Sequence, residues 1–139
     1  MASNRHLMRI TVMQSLFEWE FRDGDAETIL HRDLSLFAEK VSNHDFARLL
    51  LEGVKTHLPE IRKTIEQYAP EWPINQINPV DRVILYIAIF EMLYANEPDV
   101  PPAVVINEAV EIAKEFGGDK SGSFVNGVLS SILKSQVLQ

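Results

Sequence analysis

Apolar residues recur at intervals of three and four along most of the chain, the spacing that gathers them on one face of a helix. In residues 4–21, Leu7, Ile10, Phe17 and Phe21 keep this spacing, and Val12, Leu16 and Trp19 widen the apolar face, so a first helix is predicted there. The run Arg22-Asp23-Gly24-Asp25 interrupts the pattern, and Asp25 is placed to cap a second helix carrying Leu30, Leu34, Phe37 and Val41. Ser42-Asn43-His44-Asp45 supplies a capping signal for a third stripe, Phe46, Leu50, Val54 and Leu58. Pro59 lacks an amide donor and crowds the preceding turn, which predicts a bend at residues 57–59. Ile61, Ile65 and Tyr68 continue the stripe as far as Pro70 and Trp72-Pro73.

Asn78-Pro79-Val80-Asp81 is a strong helix start: a capping amide, a proline at the first helical position and a carboxylate at the positive end of the dipole. The segment after it is apolar on every side, which predicts a buried central helix whose one acidic interior residue is Glu91. Pro101-Pro102 opens the next helix, with Val105, Ala109, Ile112 and Phe116 as its stripe, and Gly117-Gly118 is expected to end it in a left-handed cap. A last helix carries Phe124, Val125, Val128, Leu129, Ile132 and Leu133 inward, with Ser121 or Ser123 as its cap. Six or seven helices and few strand-like alternations predict an all-α fold.

The length, 139 residues, fits one helical domain spanning 1–139, able to bury a core without staples. No cysteine is present, so disulfides and thiolate metal sites are excluded, and His6, His31, His44 and His57 match no zinc-binding spacing. Neither a membrane-spanning run nor a signal-peptide core appears, so a soluble cytoplasmic protein is expected. With 13 basic against 20 acidic residues the formal charge is −7, the wrong sign for binding nucleic acid unaided. Any RNA contact must be local and shared.

Phosphate-cradling glycine motifs, a His-Glu-x-x-His pair and a nucleophile elbow are all missing, so no enzyme and no cofactor is predicted. Glu108, Glu111 and Glu115 recur on one helix face and read as a solvated surface. Glu91 is expected to be buried, its carboxylate accepting hydrogen bonds from a neighbouring helix terminus. Asn107 and Asn126 sit beside core residues and are expected to tie loops or caps. Arg5 and Arg9 share one helix face with His6 beside them, in a stretch (residues 1–17) that contains no acid, an arrangement suited to phosphate.

Several motifs resemble the NusB family. The opening carries Arg5, Arg9, Val12, Gln14, Leu16, Phe17 and Trp19; the middle carries Pro79-Val80-Asp81-Arg82 and Ile87-Ala88-Ile89-Phe90-Glu91-Met92-Leu93. Val100-Pro101, Val105-Ile106-Asn107-Glu108-Ala109-Val110-Glu111-Ile112-Ala113-Lys114, Phe116-Gly117 and Phe124-Val125-Asn126-Gly127-Val128-Leu129 are the specific part. The resemblance implies a NusB-like antitermination fold of two packed helical halves and no enzymatic activity. It implies a pair with the small-subunit ribosomal protein NusE that binds boxA RNA and joins the Nus complex, and so RNA polymerase indirectly, in ribosomal RNA transcription.

By resemblance, Arg5 and Arg9 match basic RNA-contacting positions, with His6 adjacent, and Gln14 and Phe17 are the polar and aromatic positions next to them. Phe17 serves stacking and core packing equally well. Lys114, Phe116 and Lys120 border a loop on the implied RNA-facing side, and Asp81 matches an acidic position facing the basic ribosomal partner. Asn4, His6, Leu7 and Met8 leave only two arginines where family members often carry more, and Tyr86 and Ser123 stand where basic residues are frequent. Three functions follow. One is an RNA-binding antitermination subunit; the second is a protein-only module of the same complex. The third, the N-terminal part of an RNA cytosine methyltransferase, requires a cofactor domain that does not follow Gln139. The free protein is left as monomer or homodimer.

Overall fold

The computed structural model describes residues 4–22, 24–96 and 100–137. Residues 1–3 of the acid-free opening stretch and Asp23 of the charged turn, both noted above, lie outside these residues. The described residues form six α-helices and no strand: α1 (Asn4–Phe21), α2 (Ala26–Phe37), α3 (Asp45–Tyr68), α4 (Pro79–Leu93), α5 (Pro102–Phe116) and α6 (Ser121–Ile132). A 3-10 turn at Ile74–Gln76 precedes α4, and a π-helical turn at Leu133–Val137 follows α6. Among the described residues no helix is long and apolar enough to cross a membrane.

Helix starts follow local chemistry. Asp25 accepts a hydrogen bond from the Thr28 amide (3.2 Å), and Asn78 accepts one from the Val80 amide (2.9 Å) ahead of Pro79. Asn43 accepts from the Asp45 amide at 2.8 Å where α3 begins. Neither Ser121 nor Ser123 caps α6; the Ser121 hydroxyl instead accepts from the Gly118 amide at 2.9 Å and closes the turn before the helix.

Helix α4 is buried without interruption from Asp81 to Phe90, as its all-round apolar character requires. It packs against α1 and α3 on one side and α5 and α6 on the other, so the halves α1–α3 and α4–α6 share one continuous core. At the joint, Arg82 donates to Glu20 of α1 (2.7 and 2.9 Å) and to the carbonyls of Ile74 and Ile77 (3.2 and 3.3 Å), while the Tyr86 hydroxyl donates to Glu20 at 2.8 Å.

Two local expectations are corrected, and α3 continues past its proline. Helix α3 runs unbroken from Asp45 to Tyr68 through Pro59, because Leu50, Leu51 and Val54 before the proline and Ile61 and Ile65 after it bury one continuous stripe. That burial, about 1.5–3 kcal/mol for each large aliphatic side chain, outweighs the proline's lost hydrogen bond, and the exposed ring faces solvent. Helix α2 stops at Phe37, which is exposed, and Val41 reaches the core from the following loop. Gly117 ends α5 in an extended conformation (φ −96°, ψ −167°), not a left-handed one. Glycine is required there by close approach: a Cβ would run into the Ser121 side chain and come within 2.8 Å of the Ala113 carbonyl oxygen.

Candidate nucleic-acid and partner interface

The first turns of α1 are pinned to α4 and α5 by a buried ion cluster. Arg9, only 4% exposed, donates from Nε and Nη2 to the two carboxylate oxygens of Glu91 (2.9 and 2.8 Å) and from Nη1 to Glu108 (3.2 Å). Burial opposes this charge, but the hydrogen bonds and charges of Glu91 and Glu108 outweigh it and hold the Arg9 pKa above its ordinary value. His6 Nδ1 lies 2.9 Å from the same Glu108 oxygen. Arg9, expected on an RNA-facing surface, therefore spends its donors inside the protein. Glu91 is buried as expected, yet its partner is a guanidinium and not a helix terminus. Glu108 leaves the solvated series of Glu111 and Glu115 to join this cluster.

Arg5 lies one turn earlier on α1, its guanidinium carbon 4.3 Å from the centre of the Phe46 ring in the first turn of α3; Arg9 lies 5.1 Å from the same ring. Gln14 and Phe17 sit roughly 14–18 Å further along α1 by helical rise, so they belong to a different part of the surface. Both line an open depression of about 510 Å³ together with Glu18, Phe21 and Arg22. The Gln14 carbonyl oxygen is buried there without a protein partner, and the Phe17 ring packs on the exposed Phe21 at 5.0 Å.

Lys114 and Lys120 are exposed on either side of the α5–α6 turn, and Phe116 between them is 37% exposed. Lys120 also borders a groove of about 740 Å³ whose lining includes Trp72, Ile77, Asp81, Ser121 and Phe124. Asp81 is 6% exposed, and its Oδ1 has no protein partner. Burial pushes its carboxyl above the ordinary range, with the Ser121 hydroxyl acting in the opposite direction. A buried carboxylate with one unpaired oxygen in an open groove, beside the 51%-exposed Trp72, is a ready acceptor for a cationic or N–H group from outside.

The remaining motif residues also find their places. Asn107 and Asn126 are exposed, so they are not the structural ties expected of them; within the chain, the Asn126 side chain accepts a 3.4 Å contact from Ser130. Tyr86, at a position where a basic residue is frequent in the family, is buried in the Glu20–Arg82 network. Its hydroxyl pKa is raised first by that burial and then by Glu20. Sequence reasoning missed Phe46 and Trp72 as site residues. Phe46 meets Arg5 only through the packing of α1 on α3, and nothing local signals it; Trp72 gave a signal, a bulky aromatic in a proline-flanked loop, that was read only as a helix stop. Among the described residues no group of three or more potential metal ligands occurs.

The NusB family model matches residues 6–134. A transcription antitermination protein NusB from Chloroflexus aggregans is 42% identical over 133 residues, which cover 96% of this chain and 89% of that protein. The structure is similar to T. maritima NusB, with a TM-score of 0.85 and 40% identity over 97% of this chain and 94% of that one. It is similar also to the NusB chain of a crystal structure of antitermination factors NusB and NusE in complex with double-stranded RNA: TM-score 0.83, 26% identity, covering 96% of this chain and 98% of that one.

Proposed function

Because the chain belongs to the NusB family of transcription antitermination factors, which are not enzymes, we propose that it pairs with the ribosomal protein NusE and contributes part of a boxA RNA site. In this role it joins the Nus complex on RNA polymerase and supports processive transcription of ribosomal RNA operons. The observation that carries the reading is the buried Asp81 Oδ1 without a protein partner, held in an open groove where it can accept from a basic protein. Lys120 lines the same groove, and Arg5 stands at the start of α1. NusE in complex with a NusB protein and RNA is the assembly recorded for the similar crystal structure. A chain of net charge −7 gains from such a partner, whose basic residues complete the RNA-facing field.

The phosphate contacts assigned to this chain are Arg5, Lys114 and Lys120, with His6 and Phe116 flanking them and Gln14 and Phe17 as contacts on a separate depression further along α1; Arg9 supports the site from inside. A gel shift with boxA RNA at two salt concentrations, with and without NusE, tests this. Weak binding by the protein alone should strengthen on adding NusE, and log affinity of the protein alone should fall by roughly 2 to 3 units per log unit of salt. No gain on adding NusE would sink the model. The internal commitment of Arg9 favours a second reading, a module that binds protein alone. It wins if Arg5→Ala with Lys120→Ala leaves the RNA affinity of the complex unchanged while Asp81→Lys abolishes NusE binding.

A further inference from the structure

Phe46 is neither a motif residue nor a fully buried core residue; it sits half-buried at the start of α3, under two arginines of α1. The two arginines are not equivalent. Arg9 is held by Glu91 and Glu108 with its guanidinium carbon 5.1 Å from the ring centre, and Arg5 lies over the ring at 4.3 Å and lines an open groove of about 700 Å³. Asn4, Asn43 and Arg48 share that groove with the carboxylates of Asp45, which pairs with Arg48, and Glu52. The ring packs against the hydrophobic core, and the Asn43 side chain accepts from the Asp45 amide just ahead of it.

We infer that Phe46 is a positioning residue of the RNA site, its ring face holding the Arg5 guanidinium flat and oriented for phosphate. The inference rests on the RNA-binding reading above. An arginine in the first turn of a helix has many rotamers, and ordering it on a ligand costs entropy. Stacking on a ring that is braced by a locked second arginine removes much of that freedom before RNA arrives, through the attraction of the cation to the ring quadrupole. A sequence of contacts thus runs from Glu91 and Glu108 through Arg9 and Phe46 to Arg5. It explains why the buried ion cluster lies directly behind the basic start of α1.

The test is a double-mutant cycle read as the affinity of the protein–NusE complex for boxA RNA, with thermal unfolding measured in parallel. Phe46→Leu, which keeps apolar bulk and removes the π face, should weaken RNA binding about 3- to 10-fold, while Phe46→Tyr retains it. In an Arg5→Ala background, Phe46→Leu should cause no further loss. Unchanged affinity in Phe46→Leu overturns the inference, and so does an equal loss with and without Arg5, because the ring would then act on something else. If Phe46→Leu loses its helical signal, Phe46→Met, a flexible filler, takes its place in the cycle. Absence of RNA binding by the unaltered complex would overturn the RNA reading itself, a result distinct from a flat Phe46 series.

Discussion

Arg9 and Asp81 are both buried charges, and they differ in what compensates them. Arg9 has three donors placed on two carboxylates, so removing any partner leaves charge stranded in a dry site. Arg9→Ala is expected to lower stability by about 3–5 kcal/mol in urea unfolding. Arg9→Lys, which cannot bridge Glu91 bidentately, should also destabilise but leave the salt slope of RNA binding unchanged; a slope reduced by about one unit at full stability would return Arg9 to the phosphate contacts. Asp81 lacks such compensation at Oδ1. Its folded-state pKa stands above the ordinary 3.8, so between those two values the native state holds more protons than the unfolded chain. Stability therefore falls as pH rises through that window and remains lower at neutral pH. Asp81→Asn should flatten the pH profile above about pH 4 and stabilise the free protein at pH 7 by roughly 1–2 kcal/mol, while weakening NusE binding. An unchanged pH profile would show the carboxylate to be compensated already.

At the scale of elements, helix existence was legible from periodicity, and starts from caps: α1 falls on the predicted residues, and Asp25 and Asn78 cap as their side chains dictate. The errors came where packing outweighed a local signal, at Val41 after α2 and at Gly117 after α5. Gly53 is a further case, since nothing in its neighbourhood along the chain demands glycine. In the structure a Cβ at Gly53 of α3 would run into the Phe90 ring of α4, so the α3–α4 approach is set by a missing side chain. Gly53→Ala gains helix propensity and loses packing. The second effect is larger, and a net loss of about 1–3 kcal/mol is expected in thermal unfolding; a stabilised variant would mean that Phe90 has room to turn.

Across the whole molecule, one core cluster extends from α1 to α6, and the Glu20–Arg82–Tyr86 network crosses between the halves. The halves should therefore unfold together. Far-UV circular dichroism and the fluorescence of Trp19 and Trp72 are expected to give coincident urea transitions; separated midpoints would mean that the halves melt independently. The sequence by itself determined the all-α class, the buried central helix and the family, because helical periodicity, capping chemistry and motif order are properties of neighbouring residues. It also placed Arg5, Arg9, Lys114, Lys120 and Asp81 as charges worth attention. Only the tertiary structure decided what each charge faces. Glu91 and Glu108 stand far from Arg9 in the chain, Phe46 far from Arg5, and Trp72 and Phe124 meet around Asp81 only after α6 closes on α4. A charge's role depends on its distance to partners and water, and that distance is fixed by packing between helices, to which periodicity within one helix is blind.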